Sequence, residues 1–318
     1  MRAAANCAVF RAGAPHHPAS IVMLDLTSGA HRVLRRETDL LDQSELQIAN
    51  YLSTVKSVEF STTNGNSAYG LFYPPHNPDY VGDATERPPL LVKCHGGPTA
   101  SASSVLDLTT QFWTSRGIAV LDVNHGGSTG FGRSFRDRLH LNWGIADVDD
   151  CINGAKFLVA EDLVDSKRIV IRGGSAGGYT TLAALVFRDF FHGGASYYGV
   201  SDLAALARDT HKFESRYLDW LIGPYPQSQQ RYRERSPLYH ADQLSKPVIF
   251  FQGAEDAVVP PNQAEVLVEA LRRKGKPVGY LLFSGEQHGF RKATTIQRCL
   301  DAELDFYAIE VFKISLTV

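Results

Sequence analysis

From about residue 88 onward, short runs of aliphatic, aromatic and β-branched residues alternate with stretches whose apolar positions recur every three or four residues. That alternation predicts a mostly parallel sheet covered by helices. The predicted strands are Leu90–Cys94, Ala119–Val123, Arg168–Arg172, Gly194–Tyr198, Val248–Gln252 and Gly279–Phe283. Helical patterns lie between and after them, at about 105–116, 147–160, 177–188, 261–274 and 294–313. The second, with Ile145 just before it, carries Val148, Ile152, Ala155, Phe157 and Leu158 close to one helical face.

Residues 20–76 follow another pattern. Ile21 to Leu26 and Arg32 to Leu34 flank Ser28-Gly29 and predict a hairpin. Glu59-Phe60 and Ala68 to Tyr73 flank Asn64-Gly65-Asn66, a strong turn signal, and predict a second one. Pro74-Pro75 closes it, and the Pro-, Asp- and Gly-rich segment 76–89 is expected to be an exposed loop. No internal repeat is visible, although the first hairpin has the form of one unit of a repeat array.

The 318 residues, 44% of them hydrophobic, suffice for a large core, and a net charge of −2 leaves no electrostatic footprint for nucleic acid. The N-terminus lacks an apolar stretch of signal-peptide length, and no run approaches the roughly 18 apolar residues of a membrane span. The expectation is a cytoplasmic protein without a membrane partner. Cys7, Cys94, Cys151 and Cys299 lie far apart with no CxxC, so neither a disulfide framework nor a zinc site is expected.

The candidate chemistry gathers after the strands. Gly173-Gly174-Ser175-Ala176-Gly177 follows a predicted strand and opens a predicted helix, the context of a nucleophile elbow. A serine hydroxyl needs a base, and the base an orienting group. In this architecture their chain order is Ser, then Asp or Glu, then His. Asp256, in the loop after Val248–Gln252, is the expected orienter, with Glu255 the alternative; His288, in the loop after Tyr280–Phe283, is the expected base. An oxyanion needs N–H donors: Ala176, next to the nucleophile, and Gly97 of Cys94-His95-Gly96-Gly97-Pro98 are the candidates.

These residues resemble the prolyl oligopeptidase family of serine peptidases, particularly its acylaminoacyl-peptidase-like branch. The resemblance rests on His95-Gly96-Gly97-Pro98, Asp122-Val123-Asn124, Gly127-Ser128-Thr129-Gly130-Phe131-Gly132 and Asn142-Trp143-Gly144. It continues through Gly173 to Gly178, Gly253 to Pro261 and Glu286-Gln287-His288-Gly289-Phe290, covering about residues 58–312. It implies an α/β-hydrolase domain with a Ser-Asp-His triad, no metal and no organic cofactor, acting on peptides.

Two departures from the family follow. Its members usually carry a large β-propeller before the hydrolase domain; here about 55 residues precede it, and 1–55 read as a β segment, the remnant of a propeller blade, before a hydrolase domain at 56–318. The face that a propeller would cover is then a candidate for homo-oligomer formation. His125 and Gly126 stand where the family usually shows an aromatic residue and an arginine, so loss of a fixed cation is expected. Phe213, Tyr217, Trp220 and Leu221 share one helical face, either plain core or, with Tyr198, an apolar substrate pocket. Glu214 and Arg216 beside them are candidates for a peptide terminus or simply solvated charges. The expected activity is hydrolysis of short peptides or acyl-aminoacyl substrates through an acyl-enzyme. Its rivals are a carboxylesterase using the same triad and a catalytically weak domain acting as a binding module.

Overall fold

The computed structural model describes residues 1–38, 47–209 and 214–314. A four-stranded antiparallel sheet comes first, in the order β1 (Arg2–Ala4), β2 (Cys7–Ala14), β3 (His17–Asp25) and β4 (His31–Arg36). The hairpin expected at Ile21 to Leu34 is its second half. The first two strands escaped the sequence pattern because Cys7–Ala14 holds three alanines and Gly13, types with little β preference. The Leu106 N–H donates to Ala14 O at 3.0 Å and ties this sheet to the rest of the chain.

The second sheet has eight strands: β5 (Lys56–Ser61), β6 (Ser67–Tyr73), β7 (Leu90–Cys94), β8 (Ala119–Asn124), β9 (Ile169–Gly174), β10 (Gly193–Tyr197), β11 (Val248–Gly253) and β12 (Val278–Phe283). Their spatial order is β12-β11-β10-β9-β7-β8-β6-β5. Strands β7 to β12 are mutually parallel; β6 runs antiparallel to both β5 and β8. Leu90, Leu91 and Val92, like Ala119 to Leu121 and Val248 to Phe251, are buried on alternate faces alike, as a parallel sheet covered on both sides requires. The fourth predicted strand ends one residue early, because Tyr198 turns to a φ of 38°.

The helices are α1 (Leu108–Thr114), α2 (Arg133–Asp137), α3 (Ala146–Ala160), α4 (Ala176–Phe187), α5 (Leu203–Asp209), α6 (Tyr217–Leu221), α7 (Gln229–Arg235), α8 (Asn262–Arg273) and α9 (Ala293–Phe306), the last running into a π-helical turn at Tyr307–Phe312. Helix α1 is shorter than expected because Asp107 caps it, accepting the Thr109 N–H at 3.0 Å. Helices α3, α4 and α8 pack on one face of the large sheet, and Trp113 of α1, Cys299 of α9 and Tyr307 pack on the other. The strand order reverses between β7 and β9, which opens a crevice at their C-terminal ends. This is the α/β-hydrolase fold expected from the sequence.

Candidate active site

Ser175 sits between β9 and α4 at φ 56°, ψ −121°, a strained conformation for a residue with a side chain. The positions two residues to either side, Gly173 and Gly177, are glycine because nothing larger fits. A Cβ on Gly173 would lie 2.2 Å from Gly177 O, and one on Gly177 would lie 2.1 Å from Cys94 O. The strand, the helix start and the end of β7 are thus in backbone contact, and the serine is pushed out of the turn.

The Ser175 hydroxyl lies 2.8 Å from His288 Nε2, and His288 Nδ1 lies 2.9 Å from Asp256 Oδ2. With Nδ1–H donating to the carboxylate, Nε2 is left to accept from the serine. Asp256 is buried, and its Oδ1 accepts the N–H groups of Val258 and Val259, both at 2.9 Å. Glu255, the alternative orienter, is exposed to solvent. Glu286, which the sequence reading passed over, is buried and accepts the N–H groups of Arg291 at 3.0 Å and Lys292 at 3.1 Å, bracing the loop that carries His288. Its sequence signal was its place in the Glu286-Gln287-His288-Gly289-Phe290 motif, where it was given no role.

Ala176 opens α4, where a first-turn N–H has no intrahelical acceptor. Across the crevice, a Cβ on Gly96 would come within 3.8 Å of Ser175 Cβ, so the loop after β7 borders the serine. Gly97 follows with φ 118°. The loop is anchored by His95, whose Nδ1–H donates to Gly96 O at 2.9 Å and whose Nε2 accepts from Ser128 Oγ at 2.7 Å. The His95 ring stacks on His125 with centroids 4.5 Å apart. Burial, then the proximity of His125, pushes the His95 imidazole down to about 4.

Of the pocket candidates, Tyr198 stands edge-on to His288 at 5.0 Å and to Phe290 at 5.2 Å. Tyr217 meets the other side of the crevice, its hydroxyl 2.6 Å from Thr99 Oγ1. Trp220 packs against His140 at 5.4 Å, and Leu221 is fully buried. Phe213 lies outside the described residues. Arg216 pairs with Asp219 at 3.0 Å.

The cation expected to be missing beside Gly126 is present. A Cβ on Gly126 would fall 2.9 Å from Arg138 Nε and 3.0 Å from its Cζ, so the Arg138 guanidinium already fills that space. Arg138 donates to Ser67 O at 2.6 Å and pairs with the buried Asp150 at 3.4 Å. The sequence reading could not connect two positions separated by α2.

On the α1 and α9 face, Lys93 Nζ lies 3.0 Å from each of Asp107 and Asp122, and Arg172 lies 3.3 Å from the buried Glu303, which also accepts the Tyr197 hydroxyl at 2.5 Å. Burial opposes charge on Lys93, but the two carboxylates outweigh it and raise its pKa. Cavities of about 260 and 660 Å³ open here and share Lys93, Cys94 and Thr109; the smaller reaches Gly174 and Tyr198. Among the described residues no group of three His, Cys, Asp or Glu side chains could hold a metal, and no helix is long and apolar enough to cross a membrane.

The chain is similar to several known proteins. The Pseudoxanthomonas mexicana dipeptidyl aminopeptidase BIII is 36% identical over 217 residues, 66% of this chain and 32% of its own. An Arabidopsis thaliana acylamino-acid-releasing enzyme is 27% identical over 218 residues, 65% of this chain and 28% of its own. A solved puromycin-hydrolyzing peptidase of Mycobacterium tuberculosis is 47% identical with a TM-score of 0.91, over 96% of this chain and 46% of that one. The chain therefore spans less than half the length of these proteins. Residues 104–313 match the model of the prolyl oligopeptidase family, and with an α/β-hydrolase sheet beneath that match the chain belongs to this family.

Proposed function

We propose that the chain is a serine peptidase acting on short peptides or acyl-aminoacyl substrates, with Ser175 as nucleophile, His288 as general base and acid, and Asp256 as its orienter. The observation that carries this reading is the hydrogen-bonded line from Ser175 Oγ through His288 to Asp256, at 2.8 and 2.9 Å. As Ser175 Oγ attacks the carbonyl carbon, its proton passes to His288 Nε2, and Asp256 stabilises the imidazolium. The oxyanion is received by the N–H groups of Ala176 and Gly97, each such donor contributing about 3 kcal/mol to the transition state. His288 then protonates the leaving amine, and water attacks the acyl-enzyme by the reverse path. Tyr198 and Tyr217, on opposite sides of the serine, flank the substrate; Trp220 supports Tyr217 from within α6.

The order and number of the N-terminal strands support reading 1–55 as one propeller blade beside a hydrolase domain at 56–318. Self-association through the face that a propeller would cover belongs to the same reading, and sedimentation of the purified chain tests it. The activity is tested with matched acyl-aminoacyl p-nitroanilides and p-nitrophenyl esters, using Ser175→Ala as the blank. Serine-dependent amide cleavage is expected. Ester cleavage alone would replace the peptidase reading by a carboxylesterase, and no turnover of either would leave a binding module.

A further inference from the structure

Strand β11 is apolar and buried from Val248 to Phe251, yet its next residue, Gln252, is polar and has no exposed surface. Its Nε2 donates to Val259 O at 2.9 Å, to Gly253 O at 3.3 Å and to Asp256 Oδ2 at 3.4 Å. Its Oε1 has no hydrogen-bond partner among the described residues. All three partners are acceptors, so the surroundings fix the amide: the NH2 group faces them and the carbonyl is turned away. From this geometry we infer that Gln252 is a positioning residue of the hydrolytic site, whose side-chain amide holds the Asp256 carboxylate in the orientation that engages His288. The inference rests on the triad proposed above.

A buried carbonyl oxygen without a donor destabilises the fold, and methionine would fill the same space without leaving one. What methionine could not supply is the NH2 group. Its two hydrogens serve three acceptors: Val259 O takes one at 2.9 Å, while Gly253 O and Asp256 Oδ2 share the other, which accounts for their longer distances. The side chain thereby bridges the loop between β11 and α8, from the strand end to Val259, with Asp256 between them.

Asp256 is consequently held at both oxygens. Its Oδ1 accepts the Val258 and Val259 N–H groups, which fix that oxygen but leave the carboxylate able to tilt about it. Its Oδ2 accepts from His288 Nδ1 at 2.9 Å, and Gln252 is the other donor to that oxygen among the described residues. The backbones of the two loops are already fixed against each other, since a Cβ on Gly253 would fall 2.5 Å from Glu286 O and 2.6 Å from Gln287 O. The tilt of the carboxylate is the freedom that remains, and Gln252 removes it. With the amide gone, Oδ2 keeps only the imidazole that it has to orient, the alignment of His288 toward Ser175 loosens, and the proton transfer of the attack slows. Substrate binding is untouched, because Gln252 has no surface to offer a ligand.

The experiment compares the whole chain as wild type, Gln252→Met, Asp256→Asn and the double variant. It follows kcat and KM for an acyl-aminoacyl p-nitrophenyl ester, together with the downfield proton signal of the imidazole Nδ1–H, assigned by its loss in His288→Ala. Gln252→Met is expected to lose at least tenfold in kcat with KM within twofold, and its Nδ1–H signal to shift or to exchange faster with solvent. In the Asp256→Asn background the same substitution should change kcat by less than twofold, since Gln252 acts through the carboxylate. A packing role would instead add its own loss in both backgrounds. Should Gln252→Met not fold, Gln252→Asn, which keeps the amide but withdraws it by one methylene, takes its place with the same expectations. A wild-type kcat, a loss confined to KM, an equal further loss beside Asp256→Asn, or an unmoved Nδ1–H signal would each overturn the inference. An Asp256→Asn variant as fast as wild type would count against the proposed triad instead, and the proton signal would still decide whether Gln252 orients the carboxylate.

Discussion

Glu303 lies on α9 with its carboxylate fully buried, 3.3 Å from the Arg172 guanidinium, whose side chain is 11% exposed. Arg172 belongs to β9, three residues before Ser175. Replacing Glu303 by leucine keeps the volume and removes the one carboxylate paired with Arg172 among the described residues, leaving a buried cation without that partner. Breaking such a pair from one side costs about 4 kcal/mol. An unfolding entropy of about 2.1 cal/mol/K per residue then places the Tm about 6 °C below wild type for a chain of this length. Replacing both partners, Glu303→Leu with Arg172→Met, removes the stranded charge, and at least about 2 kcal/mol should return even though the Tyr197 hydroxyl still lacks its acceptor. Thermal and urea unfolding of the wild type, both single variants and the double variant give the cycle. If Glu303→Leu costs less than about 1 kcal/mol, or if the double variant is as unstable as the sum of the singles, the argument from a desolvated pair is wrong.

Gly177→Ala sets a methyl 2.1 Å from the Cys94 carbonyl, a backbone atom that cannot turn aside, so loss of about 3 kcal/mol or more and a displaced serine are expected; wild-type stability and rate would refute the contact. The His95 imidazole, held near 4 in the folded protein against about 6.5 in the unfolded chain, binds its proton more readily when unfolded. Stability should therefore fall as pH drops from about 6.5 to about 4, by about 3 kcal/mol in total, and His95→Gln should flatten that slope in urea titrations; an unchanged slope would contradict the assignment. Asp256→Asn keeps the volume but cannot hold the same tautomer of His288, so kcat should fall by about 10⁴ with folding intact, and a loss below tenfold would remove Asp256 as the orienter.

The sheet and the loop positions of Ser175, Asp256 and His288 were legible because each leaves a local mark. An apolar run predicts a buried strand, and glycines around a serine predict a forced turn. What was not legible depends on residues distant in the chain. Arg138 fills the space beside Gly126 from beyond α2, and Glu286 orders the His288 loop through backbone N–H groups that no pattern announces. Strand β2 was missed because its alanines and glycine carry little β signal by themselves; pairing with β3 makes it a strand. Of the aromatic stripe, helix α6 carries Tyr217–Leu221, which divide between the crevice, at Tyr217, and the core, at Leu221.

The central claim is that Ser175 is the activated nucleophile. The most direct measurement is covalent labelling with a fluorophosphonate, followed by intact mass and peptide mapping in wild type, Ser175→Ala and His288→Ala. The account predicts one adduct per chain, mapped to Ser175, absent from Ser175→Ala and at least a hundredfold slower in His288→Ala. An adduct that persists in Ser175→Ala, or that forms at the wild-type rate without His288, would contradict it.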